Sequence, residues 1–278
     1  MKKTILAILT AVVSVASSQA QIMYDSFNYT VGNPLGTTPA TNGNWLPLNT
    51  GTAPLVASGN LDVAGLQSST GNSVSWATGN IQEAYTTFSS VSTGLLFYSF
   101  AFRLTALPTG TTYSFGLIQP GTTTFYGSTI WLRASGSGFN IGLDNRSSVA
   151  PTSNYAAPTY DLNDTIFIVG SYEFVSGTGN DVSRIWINPS STNFGALSAP
   201  TATITATGGT DLTGVGGFLL RGASGSPSGA MDELRIGTGW ADVTPVPEPS
   251  STVLMVLGAA GLIGIRAMRR KSLYGDRS

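Results

Sequence analysis

Between Leu95 and Ile236 apolar and polar residues mostly alternate one by one. In Asp164–Val175 (DTIFIVGSYEFV), Ile166, Ile168, Tyr172 and Phe174 share one face, with Gly170 among them. Thr165, Ser171 and Glu173 take the other, joined there by Phe167 and Val169. A period of two is a strand, and apolar residues on both sides predict one that is partly buried on both faces. The same pattern predicts strands over Leu95–Thr105, Thr112–Gln119, Thr129–Ala134, Phe139–Asp144, Asp181–Asn188, Thr201–Thr207, Gly217–Arg221 and Met231–Ile236. Turn-forming clusters separate them: SGSG at Ser135–Gly138 and SGTGN at Ser176–Asn180 predict hairpins. No stretch in this region carries a helical stripe. Strands at this spacing without helices predict an all-β fold, an antiparallel β-sandwich or jelly roll. A parallel β-helix is the second architecture, but no fixed short repeat supports it.

Both ends break the alternation. Lys2 and Lys3 precede the apolar run Thr4–Ala16, and Ser18-Gln19-Ala20 follows as a small-x-small site. This is the pattern of a signal helix cleaved after Ala20. Near the other end, Thr252–Ile265 is uncharged. Ser250 and Ser251 extend it on one side, and a snorkelling Arg266 adds Ala267 and Met268 on the other, so Ser250–Met268 is long enough for a transmembrane helix. Arg269, Arg270 and Lys271 then form a basic stop that belongs in the cytoplasm, as do Lys2 and Lys3. Everything between the two runs is expected outside the inner membrane. Four segments follow: a signal peptide (1–20), a β-sandwich body (21–245), a C-terminal signal (246–271) and a cytoplasmic tail (272–278).

Ahead of the second apolar run stands Val246-Pro247-Glu248-Pro249-Ser250. Proline cannot donate a backbone hydrogen bond and pushes the preceding residue into an extended conformation. Pro247, Glu248 and Pro249 are thus expected to present an extended peptide just above the membrane. The order Pro-Glu-Pro, apolar run, basic cluster resembles the PEP-CTERM sorting signal of Gram-negative bacteria. The N-terminal pattern implies processing by signal peptidase, and the resemblance implies processing by an exosortase near Pro247, Glu248 and Pro249. It also implies an inner-membrane-anchored precursor facing the periplasm, then a place at the cell surface or in an exopolysaccharide matrix. The tail from Ser272 to Ser278 is longer than such signals carry.

Composition narrows the chemistry of the body. It holds six arginines, no lysine and twelve acidic residues, a net charge of −6. Clustered cations for phosphate are missing, so nucleic acid is not expected as a partner. The chain has neither cysteine nor histidine, which excludes disulfides, thiol nucleophiles and a Ser-His-Asp triad.

The stretches Tyr24–Leu35, Arg184–Ser190 and Val215–Pro245 together resemble concanavalin A-like, laminin-G-like sandwich domains of bacterial surface proteins. That resemblance implies a last strand pairing beside the first, and a structural calcium where the two meet. Asp25 with Asp232 are then the metal candidates, among oxygen donors that include Asp62, Asp144, Asp181 and Asp211; no other cofactor is expected. Asp161 and Asp164 read as turn formers. Asp232 and Glu233 are adjacent and are expected on opposite faces of their strand, which argues against a hydrolytic carboxylate pair. Trp45 and Trp76 lie in Gly/Asn/Ser/Thr-rich stretches and are the candidates for stacking on sugar rings, with Tyr85, Tyr126 and Tyr155 as further aromatics; Trp131 and Trp186 sit mid-strand and read as core. The functional expectation is an exported, non-catalytic surface or matrix protein, with a carbohydrate-binding module as the alternative and a glycoside hydrolase behind it.

Overall fold

The computed structural model describes residues 21–79, 82–146, 151, 154–223 and 225–247. Its strands are β1 (Gln21–Asp25), β2 (Leu46–Pro47), β3 (Leu55–Ala57), β4 (Ser73–Trp76), β5 (Ala84–Val91), β6 (Gly94–Ala106) and β7 (Thr112–Ile118). They continue with β8 (Tyr126–Ser135), β9 (Gly138–Asp144), β10 (Ile166–Phe174), β11 (Val182–Ile187), β12 (Ile204–Thr207), β13 (Val215–Leu220) and β14 (Ser228–Gly237). Helix is confined to a 3₁₀ turn at Ser191–Asn193 and one turn, α1, at Trp240–Val243. Among the described residues no helix is long and apolar enough to cross a membrane. The signal run, Ala20, the run Ser250–Met268 and the basic cluster lie outside the described residues.

Two antiparallel sheets stack face to face, as the alternation predicts. One has eight strands in the order β12-β11-β10-β6-β14-β4-β3, with β1 also on β14; the other runs β2-β5-β13-β7-β8-β9. The inner faces meet in one core. From β6 it takes Leu96, Tyr98, Phe100, Phe102 and Leu104, every second residue. Phe115 of β7 and Phe218 of β13 answer from the other sheet, with ring centres 4.5 and 5.4 Å from Phe100. Each such side chain, removed from water, contributes about 1.5–3 kcal/mol.

Strand β10 shows why both its faces are apolar. Ile166, Ile168 and Tyr172 enter the inter-sheet core. Phe167 and Val169 point outward into a second layer with Phe97, Trp186, Leu66, Phe194, Trp240 and Val243. That layer is closed by α1 and by the loop around the 3₁₀ turn. Trp186 is therefore buried, but outside the inter-sheet core.

The predicted strands match β6–β14 to within three residues at each end, and both predicted hairpins are present. Strands β1–β5 escape the alternation. β2 and β3 are two and three residues long, too short to show a period. β5 (AYTTFSSV) is largely polar, because its outer half faces solvent.

Candidate functional site

Strand β14 is shared along one edge by two partners. β4 pairs with Gly229–Met231, and β1 takes over at Leu234–Gly237. The change falls at a bulge, where the register to β6 slips between Asp232 and Arg235 and Glu233 has φ +58°. The inserted residue cancels the alternation. Met231, Leu234 and Ile236 all still face the core, while Asp232, Glu233 and Arg235 lie together on the outer side. The expectation that Asp232 and Glu233 oppose each other is thus corrected by the bulge.

This cluster is a staple. Asp232 accepts hydrogen bonds from Leu61 N at 2.9 Å and from Glu233 N at 2.7 Å. Glu233 pairs with the guanidinium of Arg235 and accepts from Tyr24 Oη and Thr70 N. The Arg235 guanidinium lies 4.5 Å from the centre of the Tyr24 ring. Burial pushes the Asp232 carboxyl up to about 7, against the pull of its two backbone donors. Both carboxylates are occupied in holding β1 and the 58–70 segment to the sheet.

Asp25 does not join them. It pairs in register with Leu234, a core-facing position. Its carboxylate accepts from Trp45 Nε1 at 2.7 Å, Tyr29 Oη at 2.9 Å and Phe27 N at 2.8 Å. Asp25 and Asp232 therefore point to opposite sides of the sheet, and the expected calcium pair is not assembled. Asp181 accepts from Tyr172 Oη and Val175 N, and Asp211 from Gly179 N and Asp181 N; these are loop staples too. Among the described residues no three acidic side chains gather as a metal-holding group.

The two tryptophan candidates are also corrected. Trp45 is fully buried beside Phe27, and Trp76 is buried against Phe115. Trp76 Nε1 donates to Pro227 O at 3.0 Å. An indole whose faces are covered by protein offers nothing to a sugar ring. Both close the core where short strands leave the sandwich open.

An aromatic cluster gathers on the outer face of the six-stranded sheet, with Trp131 and Tyr113 buried at its centre and Tyr85, Tyr126 and Tyr155 half-buried around them. Ile130 and Leu132 enter the core, so Trp131 between them points out. It pairs across the strands with Tyr113, ring centres 5.1 Å apart, and Tyr126 lies 6.0 Å from Tyr113. On the next strand the partner of Trp131 is Gly142. A Cβ there would stand 2.7 Å from the Tyr155 ring, so the glycine lets Tyr155 lie flat on the sheet. On the other flank, Leu219 pairs with Tyr85. Arginines cap the row: Arg133 lies 3.8 Å from the centre of Tyr155, and Arg221 4.0 Å from that of Tyr113. Arg221 also pairs with Glu83 at 3.2 Å.

Beside Tyr85 the face sinks into an open pocket of about 250 Å³. It is lined by the apolar Ile118 and Tyr85, the polar Thr87, Thr122, Thr123 and Gln119, and the backbone of Gly216 and Gly217. Burial raises the phenols of Tyr113 and Tyr155, and that of Tyr126 to about 12; the Tyr155 hydroxyl is itself buried and has no hydrogen-bond partner. Tyr126 Oη donates to Thr123 O, tying the pocket to the row. The partly exposed rings of Tyr85, Tyr126 and Tyr155 beside threonine hydroxyls and an amide suit a neutral polyhydroxylated ligand. The sequence named Tyr85, Tyr126 and Tyr155 among its aromatics. It gave no sign of Tyr113. It read Trp131 as core, and Trp131 is buried, but in the outer layer and not between the sheets, because period two says that neighbours oppose each other but not which face is inside.

Of the expected sorting residues, Pro247 is described and exposed. Glu248, Pro249, Arg269, Arg270 and Lys271 lie outside the described residues.

Residues 245–271 match the PEP-CTERM protein-sorting motif. No curated protein sequence matches the chain. Among solved structures the chain is similar to the T. cruzi calreticulin globular domain, at 8% identity over 91% of this chain and 98% of that one, with a TM-score of 0.46. It is similar to a protein of unknown function from Shewanella oneidensis MR-1, at 13% identity over 86% and 98%, TM-score 0.41. It is also similar to the CBM2 module of the evolved Dit of Lactobacillus casei BL23 phage J-1, at 10% identity over 80% and 96%, TM-score 0.41.

Proposed function

We propose that the chain, which carries a PEP-CTERM sorting motif at residues 245–271, is an exported, non-catalytic surface or extracellular-matrix protein processed by an exosortase. The observation that carries this reading is the motif itself, which begins at Pro245, after the last strand and the α1 turn of the β-sandwich. The precursor is held in the inner membrane by Ser250–Met268, with Arg269–Lys271 as the cytoplasmic stop, and loses its N-terminal signal after Ala20. Pro247–Pro249 is the segment offered to the processing enzyme. Intact-mass analysis of surface-extracted protein tests this: wild-type cells should yield chains that begin at Gln21 and lack the residues beyond the Pro-Glu-Pro motif. Cells without their exosortase should retain them. A tail kept in both strains rejects the reading.

One observation favours a second role for the body, carbohydrate binding. It is the half-buried Tyr85, Tyr126 and Tyr155, set around the buried Tyr113 and Trp131 beside the pocket on the six-stranded sheet. An exopolysaccharide is the ligand class that fits both this face and the proposed location. Affinity electrophoresis in gels containing neutral polysaccharides reads it out, and unretarded migration in all of them counts against it.

A further inference from the structure

The chain leaves the sandwich without slack. After β14, α1 lays Trp240 and Val243 onto the outer face of the eight-stranded sheet. Three carbonyls in a row are then fastened. Val243 O accepts from Ser99 Oγ at 2.6 Å, Thr244 O from Gly195 N at 2.8 Å, and Pro245 O from Gln67 N at 2.8 Å. Val246 rests on Gly195, where an added Cβ would come within 3.2 Å of its methyl groups. Four residue steps separate Val246 from Ser250, the start of the apolar run. Fully extended they reach at most about 14 Å. A body of this size has a radius of gyration of about 17 Å, so the tether is shorter than the body it holds.

The exit lies on one particular side. Gln67, Gly195 and α1 belong to the layer over the outer face of the eight-stranded sheet, and the aromatic row lies on the outer face of the other sheet. Two residues after Gly195 comes Leu197, which is 82% exposed, the most exposed large apolar side chain of the described residues; Val246 itself is 45% exposed. We infer that, while the chain is membrane-held, this outer layer rests on the lipid headgroups with Leu197 and Val246 as its apolar contacts. The aromatic face is then turned to the exterior. The surface suited to it is a zwitterionic leaflet, since the body carries a net −6 and no lysine. The inference rests on the reading of Ser250–Met268 as a membrane span.

The absence of native cysteine makes the test direct. The full chain is reconstituted into phosphatidylcholine vesicles containing headgroup spin-labelled lipid. Bimane is attached at Leu197→Cys or, on the far side, at Thr123→Cys. Quenching at 197 should exceed that at 123 at least threefold, whereas equal quenching, or more at 123, overturns the orientation. A sixteen-residue Gly-Ser insert after Val246 should bring the 197 signal down to the level of 123; undiminished quenching overturns the short tether as its cause. A chain that fails to float with the vesicles removes the membrane span and the orientation with it. A chain that floats but quenches equally at both sites removes the orientation alone.

Discussion

Asp232 accepts the backbone N–H of Leu61 at 2.9 Å across 171 positions of sequence. The bond joins the last strand to the segment that covers its outer side. Asp232 faces outward by alternation after the core-facing Met231, and the bulge at Glu233 keeps the second carboxylate on the same side.

The bond carries a pH signature. The Asp232 carboxyl rises from 3.8 to about 7 on folding, chiefly through burial. The folded protein therefore holds this proton more tightly than the unfolded chain. Its contribution is fully present below about pH 4 and is lost as pH rises through 7. Glu83, also raised by burial, acts in the same direction. One pKa unit corresponds to about 1.4 kcal/mol, so the loss amounts to a few kcal/mol. Urea midpoints of the β-sandwich body between pH 4 and 8 should fall with pH, and Asp232→Asn should remove most of that slope. A flat wild-type profile contradicts the assignment.

Gly170 tests the core. It pairs in register with Tyr98, whose ring folds across it, and an added Cβ would lie 2.0 Å from Tyr98 Cζ. Tyr98 cannot retreat, since it is fully buried and its hydroxyl is bonded to Ser128 Oγ at 2.9 Å. Gly170→Ala is expected to cost about 3 kcal/mol or more through overpacking. Denaturant unfolding measures it, with Gly110→Ala, where an added Cβ meets open space and the backbone is not left-handed, as the control without overpacking.

Trp240 fixes the segment leading to the sorting motif. It packs 5.1 Å from Trp186 and 6.3 Å from Phe97, and its Nε1 donates to Asn193 O at 2.8 Å. Trp240→Ala should cost roughly 3–5 kcal/mol. It should also raise amide exchange at Gly195 and Gln67, the donors that hold Thr244 and Pro245. Unchanged exchange at both sites shows that the strap is held independently of its indole.

The aromatic face separates binding from folding. Tyr85→Ala removes a half-buried ring from the pocket wall. Loss of one stacking contact is worth about 1 kcal/mol, so polysaccharide affinity should fall roughly fivefold while the unfolding midpoint barely moves. Gly142→Ala should act on the same readout by displacing the Tyr155 ring. If both variants are retarded like the wild type, the face is not the ligand platform.

Residue order alone determined the all-β class, nine of the strands, both hairpins and the sorting address. Those features depend on local periods, turn residues and the sequence of proline, apolar and basic segments, all carried by neighbours in the chain. Tertiary structure decided which face of each strand is inside. Trp45 and Trp76 sit in loop-like sequence, yet they plug the sandwich because Asp25, Phe27, Phe115 and Pro227 meet them from far along the chain. Trp131 alternates like a core residue, yet it points outward, because its β8 neighbours Ile130 and Leu132 are the ones the opposite sheet covers. Asp232 and Glu233 share a side only because β1 and β4 divide one edge of β14 and the bulge between them shifts the register. A period of two is symmetric between its two faces, and only the second sheet breaks that symmetry.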